Sequence, residues 1–463
     1  MFGRGLSLLP NELILEIFSL SLPDIPSHSH THAPLLLTHV CRAWRNFCLS
    51  APTLWAKILI PAWKVLPRDI DKLLKLWLDR SGRHSLDIRL SVVDKHVQII
   101  PHEQEMIYLH KVLQDIVDVL APHRARFRVF EGVLPESLIT KLGLEKMVIL
   151  QHLDFGGMFF LNTEQSPVRL ASQQTPLQTL SLYGVGANLD TICFQSNLNR
   201  LELVNINPVG ELSAGRALNM FQCLPLLETC VIELTGSDVT LAAAPLHHLL
   251  LPSLKYFFLT WTSYGDVDPL LSFMFTPNLQ RLGLRGPYSY GERWCILKDF
   301  LARSNAPITH LSLGDVGAAD IQMLDCLRNT PLLSYLAIYH GPVSPSVLLG
   351  LHINCDESDR TILPNLETLN LGACDEFEAD DLILLLRNRG SDMADPRFKT
   401  LRKVKVLYCS GVGEDHRAAF LASGIEEIEI DTGMNFTVPF ERGFLPFVRL
   451  TQSHEELFSA FTA

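Results

Sequence analysis

The sequence predicts an α/β solenoid, in which short parallel strands form a sheet and helices cover its outer side. Two observations predict this fold class. The pattern apolar-x-x-apolar-x-apolar occurs ten times along the chain, at intervals of 21 to 35 residues. Between the copies, apolar residues at three-to-four spacing predict helices, for example over 211–223, 292–303 and 380–389. Ten copies in one chain are strong evidence for a repeat architecture, whereas one copy would carry no weight.

The last two apolar residues of each copy alternate, which places both on one face of a short strand. The ten copies are Leu177/Leu180/Leu182, Leu198/Leu201/Leu203, Leu227/Cys230/Ile232, Leu254/Phe257/Leu259, Leu279/Leu282/Leu284, Ile308/Leu311/Leu313, Leu333/Leu336/Ile338, Leu366/Leu369/Leu371, Leu401/Val404/Val406 and Ile425/Ile428/Ile430. A single strand of this kind is unstable, but stacked parallel strands share one apolar layer that helices can cover. Six copies carry a proline shortly upstream, which fits a chain that leaves a helix and enters a strand. These are Pro176, Pro225, Pro252, Pro277, Pro307 and Pro364.

Four segments follow from this pattern. Residues 1–60 form a helical module, 61–175 form irregular first repeats that close one end, 176–435 form the solenoid, and 436–463 form a C-terminal cap. In the second segment the periodicity predicts helices at 68–80 and 103–120, with strands at Leu86/Ile88/Leu90 and Phe127/Val129. In the last, Leu457, Phe458 and Phe461 predict a short helix that covers the open end of the core.

The composition excludes several classes of function. Apolar residues make up 47% and charged residues 19% of the chain, which is too apolar for a disordered protein. A formal net charge of −11 argues against binding to nucleic acid or to an anionic membrane surface, both of which need a basic face. The ten cysteines are scattered, which favours an intracellular, reducing compartment, cytoplasmic or nuclear. We find no catalytic, metal or cofactor motif, so we expect a non-enzymatic protein.

Three blocks at the N-terminus form a second motif. The first is Leu9-Pro10-Asn11-Glu12-Leu13-Ile14-Leu15-Glu16-Ile17-Phe18, in which Pro10 suits the first position of a helix. Leu9, Leu13, Ile17 and Leu20 then share one helical stripe, with Ile14 and Phe18 beside it. The second block is Val40-Cys41-Arg42-x-Trp44-Arg45, within a helical pattern that covers 35–49, and the third block is Leu54-Trp55.

These three blocks resemble the F-box, and the whole chain resembles the fungal F-box-like proteins with leucine-rich repeats. The spacing near 28 residues is similar to the long, helix-containing class of such repeats. The resemblance implies a substrate-receptor subunit of a cullin–RING ubiquitin ligase of the SCF type. In that family the F-box binds a small adaptor subunit and the repeats bind a target protein. By the family pattern, the residues that contact the adaptor are Leu9, Pro10, Leu13, Ile14, Ile17, Leu37, Val40, Cys41 and Trp44.

The target is expected on the strand face that points away from the helices, which is the usual binding surface of a solenoid. We expect the solvent-facing strand positions to be Ser181, Tyr183, Glu202, Val204, Glu233, Thr260, Arg285, Ser312, Tyr339, Asn370, Lys405, Glu429 and Asp431. Aromatic residues and arginine anchor many interfaces, and they concentrate near 258–290. The candidate target contacts are Trp261, Tyr264, Arg285, Tyr288, Tyr290 and Tyr339.

Two alternatives remain open from the sequence alone. The first is a protein-binding scaffold that acts independently of a ligase and uses the same N-terminal helices to bind the adaptor or to cap the repeats. The second is an enzyme whose site forms only on folding, which would require a deep pocket with convergent ionisable groups. The sequence does not identify the target protein.

Overall fold

A computed structural model describes the protein at residues 9–22, 32–61, 69–91, 103–158, 176–184, 196–204, 212–236, 248–262, 266–286, 294–315, 320–353, 361–390 and 397–431. The chain divides into two compact units, Met1–Gly210 and Glu211–Ala463. In the described residues, no helix combines the length and the apolar character that crossing a membrane requires.

The first unit begins with helices and continues as alternating strands and helices. Its elements are α1 (Asn11–Leu20), α2 (Leu35–Val40), α3 (Arg42–Ser50), a 3-10 helix (Pro52–Trp55), β1 (Lys57–Ile60), α4 (Ile70–Arg80), β2 (Leu86–Leu90), α5 (Glu103–Leu120), β3 (Phe127–Pro135), α6 (Glu136–Leu142), β4 (His152–Met158), β5 (Thr179–Tyr183) and β6 (Arg200–Val204), with further 3-10 turns at Ala121–Arg126 and Leu144–Lys146. The six strands form a parallel sheet in chain order, each hydrogen-bonded to the next along the chain.

The second unit repeats the strand–helix alternation. Its elements are α7 (Ala214–Gln222), β7 (Thr229–Leu234), β8 (Leu249–Leu250), β9 (Tyr256–Trp261), α8 (Asp268–Phe273), β10 (Met274–Phe275), β11 (Arg281–Arg285), α9 (Trp294–Ser304), β12 (His310–Gly314), α10 (Asp320–Leu327), β13 (Tyr335–Tyr339), α11 (Pro345–Gly350), β14 (Thr368–Gly372), α12 (Ala379–Arg389), β15 (Lys403–Leu407), α13 (Arg417–Leu421) and β16 (Glu427–Asp431), with a 3-10 turn at Glu414–His416. The order of its parallel sheet is β7-β9-β11-β12-β13-β14-β15-β16, and β8 pairs with β10 apart from it.

The strands of the second unit lie in strict register, which aligns equivalent residues of successive repeats. Leu311 of β12 pairs with Leu336 of β13, and Leu336 pairs with Leu369 of β14. All three side chains are fully buried, because alternation along each strand turns them toward the helix-covered side. The predicted α/β class with a parallel sheet is therefore confirmed, and the repeated arrangement is compatible with a solenoid.

In the described residues a hydrogen-bonded turn precedes five of the ten repeat strands, and it contains four of the six upstream prolines. The amide of Leu254 donates to the carbonyl of Leu251 at 3.4 Å, and that of Leu366 donates to Leu363 at 3.2 Å. Pro252 and Pro364 follow the accepting residue directly, which is the favoured place for proline in a β-turn. The proline thus belongs to a turn that leads into the strand, which agrees with the sequence interpretation that the chain enters a strand at this point.

The carbonyl just before each strand also links successive repeats. The Lys255 carbonyl accepts hydrogen bonds from the amides of both Gln280 and Arg281, at 2.9 and 3.0 Å. The Thr309 carbonyl does the same for Ser334 and Tyr335, at 2.9 and 3.0 Å. Backbone groups at the strand starts are thereby satisfied by the neighbouring repeat, so each repeat depends on the next for its hydrogen bonds.

All ten repeat copies form strands, β5 to β7, β9 and β11 to β16, as predicted. Upstream the outcome is mixed. The β2 strand and the helices α4 and α5 lie where periodicity placed them, but the inward pair of β3 is Phe127/Phe130 rather than Phe127/Val129. A register irregularity between Leu86 and Asp87 on the neighbouring strand accompanies this shift. The predicted C-terminal helix, with Leu457, Phe458 and Phe461, lies outside the described residues.

Candidate functional site

The helix α1 has two apolar faces, and only one of them is buried. Phe18 is 1% exposed, and its ring centroid lies 4.8 Å from that of Trp44 and 5.5 Å from that of Phe47, both on α3. The Phe47 contact is edge-to-face, which is a favourable geometry for aromatic pairs. Phe18 therefore attaches α1 to α3, and the opposite face of α1 points to solvent.

That solvent-facing side carries four large apolar residues, which we call the α1 stripe. They are Leu9, Leu13, Ile17 and Leu20. Leu13 is 46% exposed, Ile17 is 45% exposed and Leu20 is 81% exposed. Single exposed apolar side chains are ordinary on a protein surface, but a row of them on one helix face is typical of an interaction site.

The start of α1 departs slightly from the expectation. Pro10 is the residue before the helix rather than its first helical residue, and it is exposed. Its carbonyl accepts from the amides of Leu13 and Ile14, at 3.1 and 3.2 Å. Ile14 is half-buried between the stripe and Phe18.

A backbone break at Cys41 divides the predicted 35–49 helix into α2 and α3. Cys41 is extended, with φ −159° and ψ 171°, and its sulfur accepts from the Trp44 amide at 3.5 Å. This caps the first turn of α3, whose terminal amides lack partners within the helix. The Arg45 Nε donates to the Thr38 carbonyl at 2.8 Å and holds the two short helices together.

The break decides which residues of this segment reach solvent. Val40 is 55% exposed and Cys41 is also exposed, whereas Trp44 is half-buried against Phe18. Leu37, which the family pattern assigns to the adaptor surface, is only 7% exposed. Its side chain is therefore buried, rather than presented on the surface of the helical segment.

The helical segment is joined firmly to the first sheet. The Trp55 indole is fully buried, donates from Nε1 to the Cys48 carbonyl at 2.8 Å and meets the Trp77 ring of α4 edge-on at 5.1 Å. The Arg80 guanidinium lies 4.4 Å from the Trp55 ring, a favourable cation–π distance. These inward contacts do not involve the α1 stripe, whose residues are exposed.

The second candidate surface is the open face of the strands in the second unit, the side away from the buried leucines. Large side chains there lie flat over glycines of the next strand. A Cβ atom added to Gly283 would lie 2.1 Å from the Phe258 ring, and one added to Gly372 would lie 2.4 Å from the Tyr339 ring. Glycine at these two positions thus allows the rings to cover the sheet.

This covering corrects the expectation that the open-face positions are solvent-facing. Among the expected positions, six are at most 7% exposed: Ser181, Glu202, Val204, Thr260, Ser312 and Asn370. The middle residue of a strand is small in several cases, for example Ser181 in β5 and Ser312 in β12. It lies between larger neighbours on strands only about 4.8 Å away, which shield it from solvent. Glu429 and Asp431 are exposed as expected, and Glu429 forms an ion pair with Lys405 at 2.5 Å.

Of the six predicted target contacts, the structure describes three: Trp261, Arg285 and Tyr339. Arg285 is half-buried, and its Nε donates to an Asp315 carboxylate oxygen at 2.9 Å. Tyr339 is half-buried on the open face. Trp261 is 8% exposed, because strand alternation places it on the same side as Leu259 and beside Gly286, rather than on the open face. Tyr264, Tyr288 and Tyr290 lie outside the described residues.

Stacked rings and cations form a row at the start of the second unit's strands that the sequence did not reveal. The Arg281 guanidinium lies 5.3 Å from the Tyr256 ring, and the His310 ring stacks on Tyr335 at 5.4 Å. Burial, assisted by the charge of Arg281, lowers the pKa of His310 to about 4. The imidazole is therefore neutral at physiological pH, which suits a ring that stacks rather than one that attracts anions.

In the first unit the open face carries a cluster of charged and hydrogen-bonded side chains. Glu202 accepts from the Tyr183 hydroxyl and from Arg200 Nε, the latter at 2.7 Å. Burial, followed by the nearby charge of Glu202, raises the pKa of Tyr183 well above its ordinary value. Tyr183 thus remains a hydrogen-bond donor to a buried carboxylate, and the cluster has the character of a structural network rather than of a reactive group.

Comparison with protein-family models finds none that matches the chain, and comparison with curated proteins likewise finds no match.

Proposed function

We propose that the protein is a substrate-receptor subunit of an SCF-type cullin–RING ubiquitin ligase, built as an F-box-like helical module followed by a leucine-rich-repeat solenoid. In this proposal α1 to α3 bind the adaptor subunit, the open face of the repeats binds a target protein, and the chemistry belongs to the other subunits. The observation that carries it is the α1 stripe, a solvent-facing apolar row opposite the buried Phe18.

The stripe supports adaptor binding for a physical reason. Leu13, Ile17 and Leu20 are not required by the internal packing of the helices, which Phe18, Trp44 and Phe47 already provide. Burying such side chains against a partner is favourable by about 25 cal/mol per Å² of apolar surface. Val40 and Cys41 are also exposed and fit the same role, whereas Leu37 contributes to the interior.

The target side of the proposal rests on the repeats. Their strand face carries tyrosine, phenylalanine and arginine residues, which are residue types that anchor interfaces. Arg285 and Tyr339 are partly accessible there and are the described residues that we propose as target contacts. The identity of the target is not specified by these residues.

A binding titration with the purified adaptor subunit tests the proposal. The double variant Leu13→Ala/Ile17→Ala is expected to weaken binding by about 2 kcal/mol, roughly thirtyfold, because both side chains are central to the stripe. The matched control is Leu349→Ala/Leu384→Ala, which removes two exposed leucines from repeat helices, 66% and 56% exposed. The control variant should bind as the unaltered chain does.

Affinity purification from cells separates the ligase role from a ligase-independent scaffold. Full-length protein should recover both the adaptor and a cullin, and the Leu13→Ala/Ile17→Ala variant should lose both. Recovery of adaptor without any cullin would favour the scaffold. Adaptor affinity that is equal for the variant and the unaltered chain would refute the assignment of the stripe.

A further inference from the structure

Two buried cysteines occupy equivalent places in successive repeats. Cys374 follows β14 by two residues and Cys409 follows β15 by two residues, and they are 0% and 4% exposed. The last residues of these strands, Gly372 and Leu407, are paired in register. Cys374 and Cys409 therefore continue the same alignment one step beyond the sheet.

Two left-handed residues aim both thiols into the interior. Ala373 has φ 48° and Tyr408 has φ 58°, a conformation that side chains other than glycine seldom adopt. Each turns the chain immediately before its cysteine. The Ala373 amide still donates to the Leu407 carbonyl at 2.7 Å, so the two segments of the chain stay paired through the turn.

The two cysteines are in contact at this point. The Cys374 amide donates to Cys409 Sγ at 3.4 Å, and each thiol also lies within hydrogen-bonding distance of backbone carbonyls, at 3.4 and 3.6 Å for Cys374 and at 3.7 Å for Cys409. Adjacent parallel strands lie about 4.8 Å apart. That spacing, at the paired strand ends two residues before the cysteines, falls within the roughly 4.4–6.8 Å between Cα atoms that a disulfide requires. Both cysteines are free thiols in this structure.

The environment makes the two thiols unequal. Hydrogen bonding with Cys409, followed by burial, raises the pKa of Cys374. Hydrogen bonding with Cys374, including its backbone amide, lowers the pKa of Cys409. Cys409 is therefore the sulfur that reaches the reactive thiolate form more readily, and Cys374 is its neighbour that retains the proton.

We propose that Cys374 and Cys409 are an oxidation site, at which a peroxide joins two successive repeats by a disulfide bond. The Cys409 thiolate attacks one oxygen of hydrogen peroxide, breaks the O–O bond and forms a sulfenic acid with release of hydroxide. The Cys374 sulfur then attacks the Cys409 sulfur, and its proton leaves with the displaced hydroxyl group as water. The hydroxide takes up the proton that Cys409 lost on forming its thiolate. The two thiols together lose two electrons, and the peroxide is reduced to two molecules of water.

This proposal does not rest on the proposed ligase function, because it is argued only from Cys374, Cys409 and their neighbours. Access of the peroxide requires local opening of the strands around Cys409, so we expect the reaction to be slower than oxidation of the exposed Cys223. The disulfide would fix the ends of β14 and β15 to each other. Removal of the peroxide and addition of a dithiol reductant should restore both thiols.

Peptide mapping of the full-length protein tests the proposal directly. Protein freed of reductant is treated with hydrogen peroxide, unfolded, alkylated at its remaining thiols and digested with trypsin. Cys374 and Cys409 are the single cysteines of the tryptic peptides 361–387 and 406–417. The expected product is these two peptides joined, about 2 Da lighter than their sum, and dithiothreitol should separate them.

Variants show which cysteines form the disulfide. The main measurement uses the unaltered chain, so it does not depend on whether the variants fold. Cys409→Ser should abolish the joined peptide, whereas Cys223→Ser, which removes an exposed cysteine from another repeat, should leave its yield unchanged. The proposal is overturned if Cys374 and Cys409 of the unaltered chain remain fully alkylatable while Cys223 is oxidised. It is also overturned if either residue is recovered joined to a different cysteine or only as a sulfinic acid.

Discussion

The helices α1 and α7 carry similar apolar patterns with opposite outcomes. On α7, Ala217, Leu218 and Phe221 are buried against the sheet of the second unit. On α1, Leu13 and Ile17 repeat the same spacing but stay in water. The difference lies in the neighbours, because α7 packs against α8 and β8, whereas the described aromatic contacts of α1 are on its Phe18 side. An apolar stripe thus predicts that a surface will be covered, but not by which molecule.

The largest expected effect comes from placing the same charge on both helices. Leu218→Asp buries an unpartnered carboxylate and should destabilise the protein by about 5 kcal/mol. Leu13→Asp changes an exposed position and should alter stability by no more than about 0.5 kcal/mol. Chemical denaturation followed by circular dichroism measures both variants. Equal losses of stability would break the comparison, because they would show that the α1 stripe is part of the folded core.

A second variant tests whether the Phe18 side holds α1 in place against α3. Phe18→Ala removes the ring that contacts Trp44 and Phe47, and it should cost about 3 kcal/mol of local stability. Hydrogen exchange of the α1 amides should accelerate, while exchange in β11 to β14 stays unchanged. Unaltered exchange in α1 would mean that the stripe side, rather than the Phe18 side, holds the helix in place.

The repeats can also bury a charge when backbone groups surround it, and Arg389 tests that exception. Its guanidinium is fully buried and donates to the carbonyls of Leu351, Ile362 and Leu363, while burial lowers its pKa to about 10. Arg389→Met leaves these acceptors without their donor and should cost about 2 kcal/mol. The exposed Arg387 on the same helix provides the control, because Arg387→Met should change the melting temperature little.

The smallest expected effect concerns backbone strain between the repeats. Ala373→Gly removes the strain of an alanine in the left-handed conformation. Glycine also increases the entropy of the unfolded chain, which offsets part of this gain, so the protein should be stabilised by about 0.5 kcal/mol. Ala337→Gly, in the regular part of β13, should instead destabilise it by about 1 kcal/mol. Thermal unfolding of the two variants should shift in opposite directions, and a shift in the same direction would argue against strain at Ala373.

Much of the fold could be predicted from the sequence because alternation is a local signal. Pairs such as Leu311 and Leu313 identify an inward strand face without any knowledge of their neighbours. The left-handed residues Ala373 and Tyr408 carry no such signal, since neither is a residue type that favours that conformation. The role of Arg389 was also hidden, because its three acceptors come from residues 26 to 38 positions away in the chain.

The candidate site was predictable only in outline. The stripe of Leu9, Leu13 and Ile17 could be seen in the sequence, but so could the adjacent Ile14 and Phe18 group, and periodicity alone does not say which one faces inward. That choice depends on where Trp44 and Phe47 lie, and hence on the break at Cys41. The position of Trp261 was equally hard to predict, because a shift of one residue along a strand moves a side chain from the open face to the interior.

The carbonyls of Lys255 and Thr309 each pair with two amides of the following repeat. This pairing affects how the chain can change in length. At the strand starts of the second unit, the described joints between repeats use the same backbone groups. Excision of residues 372–406 would place Leu407 directly after Leu371, which occupies the same phase as Val406. Shortening or lengthening by complete periods therefore preserves these backbone joints, although it removes side-chain links such as that of Arg389, so the extent of the strand face is adjustable in steps of one strand.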